Sequence, residues 1–144
     1  MLLPDTNLLV YSYNQSAAQH KIAASWWEST LSKDIPVGLT WVVIMGFIRL
    51  TTHPRVLVHP ITVREATVRI RQWLEQPSVL LLEPGPKFQT LFLNFIVNLE
   101  AGGNMTTDAY LAALAVENQA VLCSNDGDFS RFEGLKWTNP LKNR

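Results

Sequence analysis

Cysteine is almost missing from this chain: Cys123 stands alone, inside the apolar run AVLC. No intrachain disulfide can form, so the fold has to be held by its core, and the composition suits a reducing compartment. A thiol in such a run reads as a buried strand residue and not as a nucleophile. Charge is scarce too, at 17% of residues, and 12 basic against 12 acidic side chains leave no net charge. A neutral molecule has no long-range field for nucleic acid, so an RNA or DNA substrate would have to meet a local basic patch. Long hydrophobic runs are absent. The densest, WVVIMGFI, has eight residues where about 20 are needed to cross a bilayer, and the N-terminus lacks the basic start and small-residue cleavage site of a signal peptide. A soluble cytoplasmic protein with no membrane association is the expectation. G-x-S-x-G and G-x-x-x-x-G-K-[ST] are both missing, which excludes the serine-hydrolase and P-loop readings. His20, His53 and His59 lack zinc-ligand spacing and read as helix-face or loop residues.

What is present is apolar: 47% of 144 residues. That length predicts one domain over residues 1–144 with a sizeable core, and the apolar excess suggests surface hidden in an oligomer or complex. Apolar Leu2 and Leu3 start a strand. His20, Ala23, Ala24, Trp27 and Leu31 share a helical face. IPVGLT supplies a strand, and Thr40 caps a helix, WVVIMGFIRL, that is apolar nearly all round and is therefore buried or an interface. Val63, Ala66, Ile70, Trp73 and Leu74 make another stripe after Thr62. VLLLEPG reads as a strand buried on both faces. Phe88, Leu91, Phe92, Phe95 and Leu99 repeat at helical spacing up to AGGN, and Thr106 or Thr107 is expected to cap a helix DAYLAALAVEN. AVLCS, the loop NDGDFSRF and a short strand around LKW close the chain. Alternating helices and apolar strands call for an α/β fold with a mostly parallel central sheet flanked by helices, in which ligands gather at the carboxyl ends of the strands.

Isolated carboxylates stand at those places. Asp5 ends the first strand, where it would also serve as a helix N-cap. Asp126 and Asp128 follow AVLCS, where Asn, Asp and Gly make an ordinary turn. An EF-hand reading fails, because Lys136 or Trp137 would occupy the position of the bidentate glutamate. Asp108 opens a helix, favoured by the dipole, yet lies on the face of Leu111, Ala112 and Ala115. Each has a structural explanation alone. Together they would converge at one end of the sheet and repel unless a cation neutralised them. Oxygen ligands of this kind suit magnesium, with manganese an alternative, and such an ion can activate water against a phosphodiester.

DTN after the first strand, TDAYLAAL opening a late helix and SNDGDF after the next strand resemble the motifs of PIN-domain nucleases. GFIRLTTHPRV and GLKWTNPL resemble the VapC toxins of bacterial toxin–antitoxin pairs. The resemblance implies a PIN-like three-layer fold, a magnesium-dependent ribonuclease acting on RNA, a homodimer, and a VapB-like antitoxin as partner. It implies Asp5, Asp108 and Asp126 as metal ligands, Asp128 as an accessory carboxylate in the catalytic set, and Thr6, Asn7 and Ser124 as residues that orient them. Arg49 and Arg55 are candidate RNA contacts.

One position departs from the pattern. PIN nucleases commonly carry a glutamate where this chain has Gly46, so the acidic shell is one carboxylate short. Glu65 could stand in, although beside Arg64 and Arg69 it reads more simply as part of a solvated face. The alternative function is therefore a catalytically weak or inactive PIN-fold binding protein acting through an antitoxin complex. If position 46 is open helix facing the aspartates, Gly46→Glu should fold and tighten magnesium binding. If it packs against another helix, the added charge would be buried without a partner.

Overall fold

The computed structural model describes residues 1–142. Five three-residue strands form one parallel sheet: β1 (Leu2–Pro4), β2 (Val37–Leu39), β3 (Val79–Leu81), β4 (Val121–Cys123) and β5 (Lys136–Thr138), in the spatial order β3-β2-β1-β4-β5. The helices are α1 (Thr6–Tyr13), α2 (His20–Leu31), α3 (Trp41–Thr51), α4 (Val63–Leu74), α5 (Phe88–Leu99) and α6 (Met105–Glu117), and a 3-10 turn spans Gly127–Arg131. Parallel crossovers are right-handed. The walk β1 to β2 to β3 therefore lays α1 to α4 on one face, and the return to β4 on the other side of β1 lays α5 and α6 on the opposite face. Strand order reverses between β1 and β4, which pair from Leu2 opposite Val121 to Pro4 opposite Cys123. Asp5 and the loop after β4 leave the sheet side by side at this switch point.

Two aromatic clusters fasten the helices. On the first face, Trp73 meets Phe47 edge-on at 4.8 Å between ring centroids and Trp27 at 5.6 Å, Tyr13 approaches Phe47 at 6.3 Å, and the Arg69 guanidinium lies over the Tyr13 ring. On the second, Phe88 contacts Phe92 and Tyr110, while Phe95 meets Phe132. Phe47 and Phe129 are essentially inaccessible to water. Burying a side chain of this kind is worth roughly 1.5–3 kcal/mol.

Local signals explain the helix starts. Thr40 Oγ1 accepts from Val43 N at 3.2 Å, and at the head of α4 Thr62 Oγ1 accepts from Glu65 N at 3.1 Å and donates to Glu65 Oε1 at 3.4 Å. That contact fixes Glu65 as an exposed capping residue, as its charged neighbours suggested. His20 Nδ1 lies 2.9 Å from the Tyr11 carbonyl oxygen, and His53 and His59 sit in exposed loop.

Three expectations are corrected. The strand read as buried on both faces, β3, is a sheet edge with Leu80 and Leu81 exposed, because no element follows it outward. Val63 is exposed, at the first position of α4, whose buried stripe starts only at Ala66. The helix expected to start after Thr106 or Thr107 begins at Met105; its N-cap Asn104 makes no side-chain bond, and Thr106 Oγ1 instead donates to Ala101 O. As expected, α5 stops at AGGN, its chain turning on Glu100 in the left-handed region at φ 48°.

Candidate metal centre

Asp5 does both things the sequence allowed. It is the N-cap of α1, its Oδ1 accepting from Thr6 N at 2.7 Å, and its Oδ2 accepts from Ser124 Oγ, also at 2.7 Å. Ser124 is fully buried and its hydroxyl is saturated. Asn7 Nδ2 donates to it at 3.2 Å and Asp126 N at 3.0 Å. Both can only donate, so the single hydroxyl proton must go to Asp5. Asp126 caps the 3-10 turn, its Oδ1 accepting from Asp128 N at 2.9 Å.

Asp108 comes from the first turn of α6, across the switch point. Its carboxyl is pushed up to about 7, first by burial and then by the charges of Asp5, Asp126 and Asp128. Burial also raises Asp5 and Asp126 adds to it, while the hydrogen bonds from Ser124 and Thr6 pull it back. Four carboxylates from three segments of chain therefore feel one another electrostatically. Asp128 is the most exposed of them.

A PIN domain profile matches residues 2–135. Ribonuclease VapC33 of Mycobacterium tuberculosis is 40% identical over 142 residues, 99% of each chain, and Ribonuclease VapC37 of the same organism is 35% identical over 140 residues, 97% of each. The chain belongs to the VapC branch of the PIN-domain family. Solved VapC-type structures share its fold. VapBC-1 from nontypeable Haemophilus influenzae superposes with a TM-score of 0.71 at 18% identity, covering 98% of both chains. VapC20 of M. tuberculosis, a sarcin-ricin loop cleaving toxin, superposes at 0.69 with 19% identity, covering 94% of this chain and 99% of that one.

In this VapC-family chain no three His, Cys, Asp or Glu side chains among the described residues stand together as a ready-made cage. The donor chemistry nevertheless fits a small hard cation. Asp5 and Asp126 each spend only part of their acceptor capacity on protein donors. Magnesium is ordinarily held by one or two carboxylates and several waters, not by an all-protein cage. A cleft of about 830 Å³ elsewhere, lined by Tyr13, His20, Trp27, Arg69 and Trp73 among others, contains none of the four carboxylates.

Gly46 is buried, and a Cβ built on it would stand 2.8 Å from Thr6 Oγ1 and 2.9 Å from Thr6 Cγ2. Position 46 is thus packed against the first residue of α1, beside Asp5, with no space for an acid. Arg49 lies exposed one turn further along α3 and Arg55 in the loop beyond; neither figures among the charges acting on Asp5 or Asp108.

Asn125, inside SNDGDF, and Asn139, to neither of which the motifs assign a role, brace the loop as well. Asn139 Nδ2 donates to Asn125 Oδ1 at 2.9 Å, Asn125 N donates to Asn7 Oδ1 at 3.5 Å, and Trp137 Nε1 donates to the Ser124 carbonyl at 3.1 Å. The available signal was a lone amide in TNPL directly after a strand.

Proposed function

We propose that this VapC-family chain is a metal-dependent endoribonuclease, the toxin of a toxin–antitoxin pair. The observation that carries the reading is the gathering of four carboxylates from three segments at the switch point, where burial first, and then the charges of Asp5, Asp126 and Asp128, push Asp108 up to about 7. Asp5 and Asp108 would hold magnesium, or manganese, with Asp126 as a third acidic group and Asp128 nearby. When bound, the ion would polarise a phosphodiester and activate a water for hydrolysis. Ser124 keeps one Asp5 oxygen oriented, Asn7 fixes the Ser124 hydroxyl, and Thr6 N holds the other Asp5 oxygen. Arg49 and Arg55 offer exposed cations for an RNA backbone. The VapC ribonucleases at 35–40% identity support RNA as substrate, and the likeness to VapBC structures supports a VapB-like antitoxin as partner.

The test is cleavage of RNA by purified, antitoxin-free protein with magnesium, with EDTA, and with Asp5→Asn. Activity requiring both the metal and Asp5 supports the proposal, and mapping cleaved ends in cellular RNA after brief expression identifies the target. The closed space at Gly46 favours a second reading, a catalytically weak PIN-fold protein acting through its antitoxin complex. Absence of cleavage under all metal conditions would select it.

A further inference from the structure

The loop that follows β4 carries Ser124 and Asp126, yet two of the hydrogen bonds that hold it come from beyond residue 135, where the PIN-domain match ends. Trp137 Nε1 fixes the Ser124 carbonyl from β5, and Asn139 Nδ2 fixes the Asn125 side chain. Asn139 is a buried amide, only 6% exposed. Its Oδ1 accepts from Leu141 N at 3.0 Å, so its orientation is set and the amino group must be the one facing Asn125. From Asn125 the path is short: its backbone N–H meets Asn7, and Asn7 completes the Ser124 hydroxyl that holds Asp5.

We infer that Asn139, together with Trp137, is a positioning residue for the carboxylate centre, acting through Asn125 and Ser124 on Asp5 and Asp126. The inference rests on the metal-dependent reading above. Turn formation alone needs only the Asn139 oxygen, whereas the amino group has one partner, and that partner lies in the loop carrying the acids. Groups that orient metal ligands from outside typically change metal affinity when removed.

The experiment measures Mn2+ binding to the purified full chain by calorimetry, alongside thermal unfolding in EDTA and RNA cleavage across Mn2+ concentrations. Asn139→Ala is expected to weaken Mn2+ binding roughly tenfold, with KM for RNA unchanged and kcat restored by excess Mn2+. Asn125→Ala should weaken it similarly, and the double variant should be no worse than Asn125→Ala alone, because both act through one bond. Trp137→Phe keeps an aromatic side chain, though a smaller one, and removes the bond to Ser124; a loss of about threefold is expected, with thermal unfolding in EDTA separating lost packing from lost positioning, and this variant carries the test if Asn139→Ala does not fold. Wild-type Mn2+ affinity in Asn139→Ala or Trp137→Phe, or losses that multiply in the double variant, would overturn the inference, leaving a merely structural role. A wild-type protein that binds Mn2+ without cutting RNA would remove the ribonuclease reading and leave the Mn2+ comparison decisive. One that binds no Mn2+ would overturn both.

Discussion

Placing even a methyl group at position 46 should cost this protein stability, although glycine is a poor helix former. In an open helix, Gly46→Ala would stabilise by roughly 1 kcal/mol. Here the new Cβ would meet Thr6 Oγ1 at 2.8 Å and Cγ2 at 2.9 Å. Thr6 is β-branched and stiff about its first torsion, so it cannot swing aside freely. Overpacking of this kind costs about 1–3 kcal/mol, which leaves Gly46→Ala neutral to about 2 kcal/mol destabilised. Gly46→Glu adds the burial of an unpartnered carboxylate and is expected to misfold or aggregate. Trimming the partner should relieve the clash: Thr6→Ala removes both atoms under 3.0 Å and leaves the residue-6 Cβ at 3.4 Å. Urea unfolding of Gly46→Ala, Thr6→Ala and the double variant measures the coupling, expected to be favourable by about 1 kcal/mol. Additive effects, or a Gly46→Ala protein more stable than wild type, would refute the packing argument and reopen position 46 as a site for an acid.

Asp5→Asn and Asp108→Asn should each abolish metal-dependent RNA cleavage while leaving circular dichroism unchanged; near-wild-type cleavage would remove that residue from the site. Because folded Asp108 keeps its proton up to about 7 while the unfolded chain releases it near 3.8, the metal-free protein should lose stability as pH rises through that window. Asp108→Asn should flatten the slope in denaturant titrations, and an unaltered slope would contradict the assignment. The Cys123 thiol, buried and pushed up to about 12, should resist alkylation in native protein and react only on unfolding; rapid native labelling would show that β4 opens. Trp41 and Met45 on α3, and Leu93 and Val97 on α5, each one helical turn apart, are exposed apolar surface, and one of these faces is expected to pair two copies of the chain. Light scattering at micromolar concentration checks this, and a monomer without antitoxin would count against it.

Legibility in the sequence followed the strength of each local signal. The helix from Phe88 to Leu99 was visible because five apolar residues repeat at its period, and Thr40 was readable as a cap because a hydroxyl precedes an apolar periodic segment. The β3 run was read as central because four consecutive apolar residues look alike at an edge and in the middle; only strand order distinguishes them. The start of α6 was hidden for a related reason, since Met105 carries no capping group and the threonines that do lie one turn too late. At the candidate centre, carboxylates at element ends were conspicuous against a weakly charged chain. Asn125 and Asn139 were not, because an amide after a strand looks like any turn residue until the fold brings residues 14 positions apart into hydrogen-bond contact.

The hydrogen bond between Asp5 and Ser124 joins positions 119 apart, and β1 lies between β2 and β4, which is completed only near the end of the chain. During synthesis the first strand therefore waits with one edge open and its aspartate unanchored, since the partner that holds it has not yet been translated. Contacts of such long sequence separation form late and together. A nascent chain that has not yet reached Ser124 thus has Asp5 without the hydroxyl that holds it, and fragments released that early would lack the assembled carboxylate cluster. Were the chain the ribonuclease proposed above, that delay would keep its early fragments from cutting the RNA of the machine producing them.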